Sequence, residues 1–305
     1  MYLEVGMPKP DQPDKPNAKS EDPESNPDVN ALLSSFRLDQ SSYRTFGRHR
    51  NPRPPERAQT VAPGTSRSEQ VRIGIFSPMG GAGKSMLAAT LGSILWQHNK
   101  KVLLVDAAPW PTLAFHYGAT TNRPGVRSFF APGGNELPVR ILARDPNEPI
   151  IPRMDNYLKT NPADYVLFDL SGASGQELIA YLDECQILLI PLIPNPSSIR
   201  YAEAVTTLLS TLRNPPDRVL YVVNQMDESP LANTAYANLN QQLDQQLFNQ
   251  PIYRQVEIQE SLAEGVVLPL FAPTSQAVAV CNEIVQWLER PRPVERSRIQ
   301  RWSER

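Results

Sequence analysis

The sequence predicts a doubly wound α/β domain with a mostly parallel sheet and helices on both faces. From residue 71 to residue 288, apolar runs of strand length alternate with amphipathic segments of helix length. This alternation is typical of βα units that build a parallel sheet. The strand runs are nearly continuously apolar, as expected of strands covered on both faces. A glycine-rich turn separates the first strand from the first helix, and such a turn can bind an anion.

The elements are predicted in chain order from their length and apolar spacing. Strands are expected at residues 71–76, 101–105, 139–143, 165–170, 186–192 and 219–223. Helices are expected at residues 85–97, 154–158, 176–183, 199–212, 233–248 and 275–288. The region 112–161 is rich in Pro and Gly, so only one short strand and one short helix are predicted within it.

The first 70 residues differ from the domain in composition. They hold ten of the 31 prolines and are otherwise dominated by small polar and charged residues, so we predict a largely disordered segment. Within it, residues 28–46 contain a short amphipathic motif, with Val29, Leu32 and Phe36 at helical spacing. Such a stretch is too short to be stable alone. It either folds on a partner or on its own domain, or it is residual helix without a partner.

Charge argues against nucleic acid as a partner. Residues 71–288 carry 14 basic and 19 acidic groups, whereas nonspecific DNA binding depends on Lys and Arg that neutralise phosphates. The basic tail at 289–305 has six Arg against three Glu, with Val294, Ile299 and Trp302 among them. Three apolar side chains are too few for stable membrane anchoring. We expect a solvated tail, with an interfacial helix as the alternative, and only indirect membrane association.

Location and cysteine chemistry follow from the same composition. The first residues lack the apolar core of a secretory signal, and the longest apolar run, at 187–193, is too short to span a bilayer. We therefore expect a cytoplasmic protein, which can act at the inner face of the cell membrane or at a cell pole. Cys185 and Cys281 lie in apolar patterns, which indicates reduced, buried thiols.

The glycine-rich turn has the sequence Ser-Pro-Met-Gly-Gly-Ala-Gly-Lys-Ser, at residues 77–85. Its glycines let the backbone turn tightly and direct N–H groups at phosphate oxygens. The lysine is expected to reach the β and γ phosphates of ATP, and the last serine to bind Mg²⁺. Pro78 stands where the general pattern has its first glycine. A chance glycine-rich turn is the alternative, which the strand–turn–helix context disfavours. The predicted ATP-binding residues here are Gly80, Gly81, Ala82, Gly83, Lys84 and Ser85.

Polar residues end three of the predicted strands. Asp106, Asp169 and Asn224 follow apolar runs, and in a parallel sheet they emerge at the carboxyl edge where ligands bind. Asp169 is predicted to hold Mg²⁺ through water together with Ser85, and Asp106 to order the metal shell or the attacking water. Lys84, Asp106 and Asp169 are thus the predicted catalytic residues. Asn224 is a candidate contact to adenine. Each could instead cap a helix or begin a turn.

These motifs together resemble the deviant Walker A family of MinD and ParA, a branch of the SIMIBI P-loop proteins. The resemblance covers residues 71–288 and rests on MGGAGKS, VLLVDAAP, YVLFDL, YVVNQ and the closing segment ESLAEGVVLPLFAPTSQAVAV. It implies a homodimer held by bound ATP and Mg²⁺ that positions cargo on membranes or nucleoids. No tyrosine cluster follows the last predicted helix, which disfavours a tyrosine kinase on the same fold.

Two departures from the family pattern bear on catalysis. The signature lysine of the family falls at position 79 and is Met79 here, and the second acid of its switch falls at position 108 and is Ala108. Methionine cannot donate to phosphate and alanine cannot position water. Losing one charge-stabilising group costs on the order of a hundredfold in rate, so slow or absent ATP hydrolysis is expected.

The same departures are similar to the cellulose-biosynthesis subgroup of the family, the BcsQ proteins. Residues 28–46 add to this, because DVNALLSSF followed by SYR looks like a motif of small cellulose-operon proteins, with Leu33 in place of its Phe. The resemblance implies an ATP-binding dimer that serves as a scaffold for assembling and localising the cellulose synthase complex, together with small cellulose-operon accessory proteins. The alternative is an active ATPase that positions membrane or nucleoid cargo.

Overall fold

The computed structural model describes residues 70–130 and 137–290. The predicted disordered segment, except Gln70, lies outside these residues. So do its amphipathic motif at 28–46 and the basic tail beyond Arg290. The predictions for those regions therefore stay predictions.

The described residues form a seven-stranded sheet. Its strands are β1 (Val71–Ile75), β2 (Val102–Asp106), β3 (Gly125–Phe129), β4 (Val139–Ala143), β5 (Tyr165–Asp169), β6 (Ile187–Leu192) and β7 (Arg218–Val223). They lie in the order β3-β4-β2-β5-β1-β6-β7. All neighbours are parallel except β3, which pairs antiparallel with β4. The predicted mostly parallel α/β fold is confirmed.

Helices connect the strands and follow the last of them. They are α1 (Lys84–Gln97), α2 (Ile150–Thr160), α3 (Gly175–Leu182), α4 (Ser198–Ser210), α5 (Pro230–Leu243), α6 (Val256–Ala263), α7 (Leu268–Phe271) and α8 (Gln276–Glu289), with 3₁₀ turns at Leu113–Tyr117 and Asp244–Gln246. Within the part of the chain that is described, none of these helices is long and apolar enough to cross a membrane.

Helix α1 is buried around nearly its whole circumference. Twelve of its residues are buried, from Lys84 to Trp96, because the helix packs between the sheet and α8. A helix that is apolar on all sides is typical of such an interior position. Gly92 permits the close approach, since a Cβ there would lie 2.6 Å from a terminal carbon of Leu104. The helix is therefore held at a fixed distance from the strands that carry the acidic residues.

Strand register brings the predicted site together. Ile75 of β1 lies opposite Asp169 of β5, and Asp169 lies opposite Asp106 of β2. Three neighbouring strands thus end at one level, and the segments that follow them start from the same edge. We call this the carboxyl edge of the sheet.

The structure contains elements that the sequence did not predict. Strand β3, the 3₁₀ turn at Leu113–Tyr117, α6 and α7 were unassigned. Helix α2 is longer than the predicted 154–158, and α5 begins and ends earlier than predicted, with a separate 3₁₀ turn after it. Two of these elements touch the predicted site, because Leu113 of the 3₁₀ turn bonds Asp106 and the start of α6 lines the pocket beside Asn224.

Candidate functional site

The glycine-rich turn joins β1 to α1 in a conformation that requires glycine. Gly81 and Gly83 have φ of 69° and 88°, in the left-handed region that favours residues without a Cβ. Asn224 holds the turn, because its Nδ2 donates to the carbonyl of Ala82 at 2.8 Å. A Cβ on Gly83 would lie 2.1 Å from the same nitrogen. Gln225 adds a second contact, from Nε2 to the carbonyl of Gly81 at 2.5 Å.

The amino terminus of α1 follows directly. Gly83 occupies the N-cap position, and within the described residues no side chain caps the first N–H groups of the helix. The first turn contains no acidic residue. Uncapped N–H groups and the helix dipole together favour an anion at this position. The turn and helix therefore form a site for a phosphate group.

Lys84 is buried at the start of α1. Its Nζ donates to the carbonyls of Ser77 at 3.2 Å and Met79 at 2.9 Å, so the ammonium group is wrapped by its own loop. Burial lowers the pKa of Lys84, while the nearby Asp169 carboxylate raises it. A buried cation at a helix amino terminus adds to the attraction for a negatively charged ligand.

Asp106 is fully buried at the end of β2. Its Oδ2 accepts a hydrogen bond from the N–H of Leu113 at 2.7 Å, and its Oδ1 accepts one from Ala108 at 3.3 Å. Burial raises the pKa of Asp106 to about 7, and the neighbouring Asp169 adds to this rise. The carboxyl group thus fixes the loop that follows its own strand.

Asp169 is also fully buried, at the end of β5. Its Oδ1 accepts from the backbone N–H of Ser171 at 3.1 Å and from the Ser171 hydroxyl at 2.5 Å. Its Oδ2 accepts no hydrogen bond from any described residue. Burial raises the pKa of Asp169, against the effect of the Ser171 and Ser85 hydroxyls and the Lys84 ammonium. A buried carboxylate oxygen without a partner is costly, which indicates that a ligand completes it.

Ser171 is a site residue that sequence analysis missed. Its hydroxyl lies 3.2 Å from that of Ser85 while bonding Asp169, so it links the end of β5 to the start of α1. The only sequence signal is a hydroxyl residue two positions after the acid, in DLSG. That pattern is common in turns, so it could not have been distinguished from one.

A pocket of about 400 Å³ extends from the turn along the end of β7. Gly83 and Met86 form one wall, and Asn224, Gln225 and part of the segment 253–259 form the rest. Asn224 is buried, and its Oδ1 has no hydrogen-bond partner among the described residues. The side of the pocket formed by 253–259 was not predicted, because this segment carries no motif. The predicted site residues thus lie around one turn and one pocket.

The two departures from the family pattern are also placed at this edge. Met79 is 5% exposed within the turn, and its N–H bonds the hydroxyl of Ser77 at 3.2 Å. Ala108 is 5% exposed beside Asp106. Position 79 therefore presents a thioether instead of a cation, and position 108 a methyl group instead of a carboxylate.

Residues 73–268 match the family described as the CobQ/CobB/MinD/ParA nucleotide binding domain. The chain belongs to this family. No curated protein matched the sequence.

Three solved structures of similar fold extend this finding. The ParA family ATPase from Chlorobium tepidum TLS is 19% identical, with a TM-score of 0.60 over 73% of this chain and 100% of its own. A variant of McdA from Cyanothece, in complex with ATP, is 19% identical, with a TM-score of 0.55 over 74% and 99%. The septum site-determining protein MinD with Mg-ADP from Pyrococcus horikoshii OT3 is 17% identical, with a TM-score of 0.57 over 73% and 97%. At this identity the likeness shows the shared fold.

Proposed function

We propose that the chain binds ATP and Mg²⁺ at the carboxyl edge and acts as a nucleotide-held dimeric scaffold with little ATP hydrolysis. The observation that carries the proposal is a pair of buried oxygens that lack partners among the described residues. They are Oδ2 of Asp169 and Oδ1 of Asn224, and they lie at a turn that is built for phosphate. Two of the structurally similar proteins hold ATP or Mg-ADP, which supports the same ligands here.

The residues fit the two ligands. The uncapped turn of α1 and Lys84 suit the phosphates, since both supply positive charge. The pocket beside Asn224 suits the base, because its free Oδ1 accepts a hydrogen bond from an exocyclic amine of adenine. Ser85 and Asp169 offer hard oxygens of the kind that Mg²⁺ prefers, directly or through water. When bound, Mg²⁺ neutralises phosphate charge.

Weak hydrolysis is proposed from Met79 and Ala108. Met79 cannot place a cation beside the phosphates, and Ala108 cannot orient water. The remaining acid of the switch, Asp106, has both oxygens engaged by the backbone of its own loop. These two bonds fix the orientation of the carboxyl group, so it is not free to turn toward the place of the missing acid.

Dimer formation is proposed from the same edge. Trp110, Leu231, Tyr253 and Val256 are exposed large apolar side chains in segments that follow the carboxyl ends of β2 and β7. Tyr253 and Val256 also line the pocket. Apolar groups around a charged ligand site are typical of interfaces that close over the ligand. We propose that a second copy covers this surface when ATP is bound.

The cargo is proposed to be the bacterial cellulose synthase complex, with small cellulose-operon proteins as co-assembly partners. The proposal rests on the resemblance of the switch DAAP and of the 28–46 motif to the BcsQ subgroup. An active ATPase that positions membrane or nucleoid cargo is the alternative, favoured by the presence of Lys84, Asp106 and Asp169. ATP turnover distinguishes the two.

The experiment measures dimerisation and turnover on the full chain. We expect sedimentation to show a dimer with ATP and Mg²⁺, a monomer without them, and slow phosphate release. Substituting Met79→Lys together with Ala108→Asp should raise phosphate release by about a hundredfold. A chain that stays monomeric at saturating ATP, or hydrolyses it at the rate of the double variant, contradicts the proposal.

The cargo is tested separately in the source cells. Affinity purification of the tagged chain from solubilised membranes should retrieve the cellulose synthase subunits. A variant that lacks residues 28–46 should retrieve fewer of the small partners. If none of these subunits is recovered from cellulose-producing cells, the proposed cargo is wrong. That result would not affect the proposed ATP site.

A further inference from the structure

A second group of exposed apolar side chains lies away from the nucleotide site. Phe130, Leu137, Val266 and Leu270 are between 38% and 64% exposed. Phe130, Val266 and Leu270 line a pocket of about 150 Å³, and Leu137 lies beside it. Strand β4 begins next to this pocket, so the pocket is near the amino-terminal edge of the sheet, opposite the turn. An apolar cavity of this volume is large enough to hold a benzene-sized ring.

The walls of the pocket are fixed by contacts that do not depend on any occupant. Trp96, at the end of α1, lines it and donates Nε1 to the carbonyl of Leu137 at 2.5 Å. Tyr117 lines it too, bonding the carbonyl of Ala89 at 2.8 Å and packing on Phe129 at 5.5 Å between ring centroids. The pocket is thus preformed, as small-ligand and side-chain sites usually are.

The sequence of the segment next to the pocket offers few apolar side chains. Phe130 and Leu137 flank the segment 131–136, whose sequence is Ala-Pro-Gly-Gly-Asn-Glu. This sequence contains no large apolar side chain. An occupant with a large apolar side chain would come from elsewhere in the chain or from another molecule.

Helix α8, which precedes the carboxyl-terminal tail, ends near this pocket. Glu289, the last residue of α8, lies 3.4 Å from His98 Nδ1 and 3.6 Å from Lys100 Nζ. His98 follows α1 two residues after Trp96. Twelve residues lead from Arg290 to Trp302, and a chain of that length spans about 20 Å as a random coil and about 40 Å when extended. The tail is therefore long enough to reach the pocket.

The chemistry of the tail matches that of the pocket. Residues 291–305 carry Ile299 and Trp302 among five Arg and two Glu. Glu264 directly precedes Gly265 of the pocket wall, and Glu260 lies one helical turn earlier on α6. Both are exposed, and neither makes a salt bridge to a residue that the structure describes. An apolar side chain can enter the pocket while arginines face these carboxylates.

We propose that the tail at 291–305 inserts the ring of Trp302 into the pocket formed by Trp96, Phe130 and Leu270, while Ile299 packs on the exposed apolar side chains around it. This contact covers the apolar surface and holds the tail against its own domain. It is independent of the nucleotide site.

The test is proximity cross-linking in the full chain without nucleotide. A Val266→Cys, Ser303→Cys variant treated with a short bismaleimide should give an intramolecular cross-link. Adding Ile299→Ser and Trp302→Ser should slow that reaction about tenfold, since the buried apolar area is lost. The matched control is Leu231→Cys with Ser303→Cys, at the opposite edge. In this control pair, Ile299→Ser and Trp302→Ser should leave the rate of cross-linking unchanged.

The native thiols do not interfere, because Cys185 and Cys281 are buried and burial raises the pKa of both. If the serine substitutions leave the Val266 rate unchanged, the tail is solvated and the proposal fails. If the cross-linked product has the mass of a dimer, the occupant is a second copy, and the proposal fails as well.

Discussion

At the scale of single residues, the buried ammonium of Lys84 is the feature from which ligand affinity follows. It is held by two carbonyls of its own loop, and burial lowers its pKa while Asp169 supports the charge. A phosphate group offers this cation a charged partner in place of neutral ones. The full negative charge of a phosphate oxygen attracts the ammonium group more strongly than the partial charge of a carbonyl oxygen does, so the exchange favours binding.

We predict that Lys84→Ala weakens ATP binding by about a hundredfold or more, because each hydrogen bond to a charged group contributes about 1.5–3 kcal/mol. Isothermal titration of the purified protein with ATP and Mg²⁺ measures the affinity. The matched control is Lys101→Ala, which removes an exposed lysine directly before β2; this variant should bind ATP with the affinity of the parent. Equal affinities for both variants refute the assignment of the turn.

The sequence predicted part of this site and missed the rest for a physical reason. Asp106 and Asp169 could be placed because strand ends in a parallel sheet share an edge. Ser171 and the 253–259 wall of the pocket could not. Their position depends on how distant segments pack, and nothing in their own residue pattern marks it.

At the scale of elements, the start of α1 depends on one glycine. Gly83 has a left-handed backbone conformation and faces Asn224. The turn, the helix and the end of β7 therefore meet where there is no room for a Cβ. Gly80 differs, because a Cβ there would have no atom within 4 Å. Gly80 and Gly83 of this turn are therefore constrained unequally.

Substituting Gly83→Ala should lower the free energy of unfolding by at least about 1–2 kcal/mol, which is the cost of a left-handed residue with a side chain. Displacement of Asn224 adds to this. Gly80→Ala should stay within about 0.5 kcal/mol of the parent. Urea denaturation followed by circular dichroism compares the three proteins. If Gly83→Ala and Gly80→Ala lower the free energy of unfolding equally, the contact with Asn224 does not constrain the turn.

Two of the elements that escaped prediction have too weak a pattern to be recognised. Strand β3 is an antiparallel edge strand with only one buried residue, Gly125, so it lacks the continuous apolar run of a central strand. Helix α7 has four residues and contains Pro269, too few for a helical period to be visible. Central strands were predicted because burial on both faces leaves an unbroken apolar signal.

At the scale of the whole molecule, most of the exposed large apolar side chains of residues 70–130 and 137–290 lie in two groups at opposite edges of the sheet. Trp110 is 83% exposed at the carboxyl edge, and Phe130 is 64% exposed near the amino-terminal edge. We assign the first surface to a second copy and the second to the tail. Substitutions of Trp110 and Phe130 can therefore serve as controls for each other.

We predict that Trp110→Ala weakens the ATP-dependent dimer by about tenfold or more, since a buried tryptophan is a frequent anchor of interfaces. Phe130→Ala should leave the dimer unchanged. Sedimentation equilibrium with ATP and Mg²⁺ gives the dissociation constants. A dimer weakened only by Phe130→Ala reverses the assignment of the two surfaces.

The place of β1 between β5 and β6 has a consequence for synthesis of the chain. Val71 pairs with Tyr165, a residue that a ribosome adds roughly 5 to 20 seconds later at ordinary rates. Until β6 has also left the exit tunnel, the strand that leads into the glycine-rich turn lacks a neighbour on one side. Nascent chains that stop before residue 192 should therefore be protease-sensitive, and folding of the domain is expected late in translation.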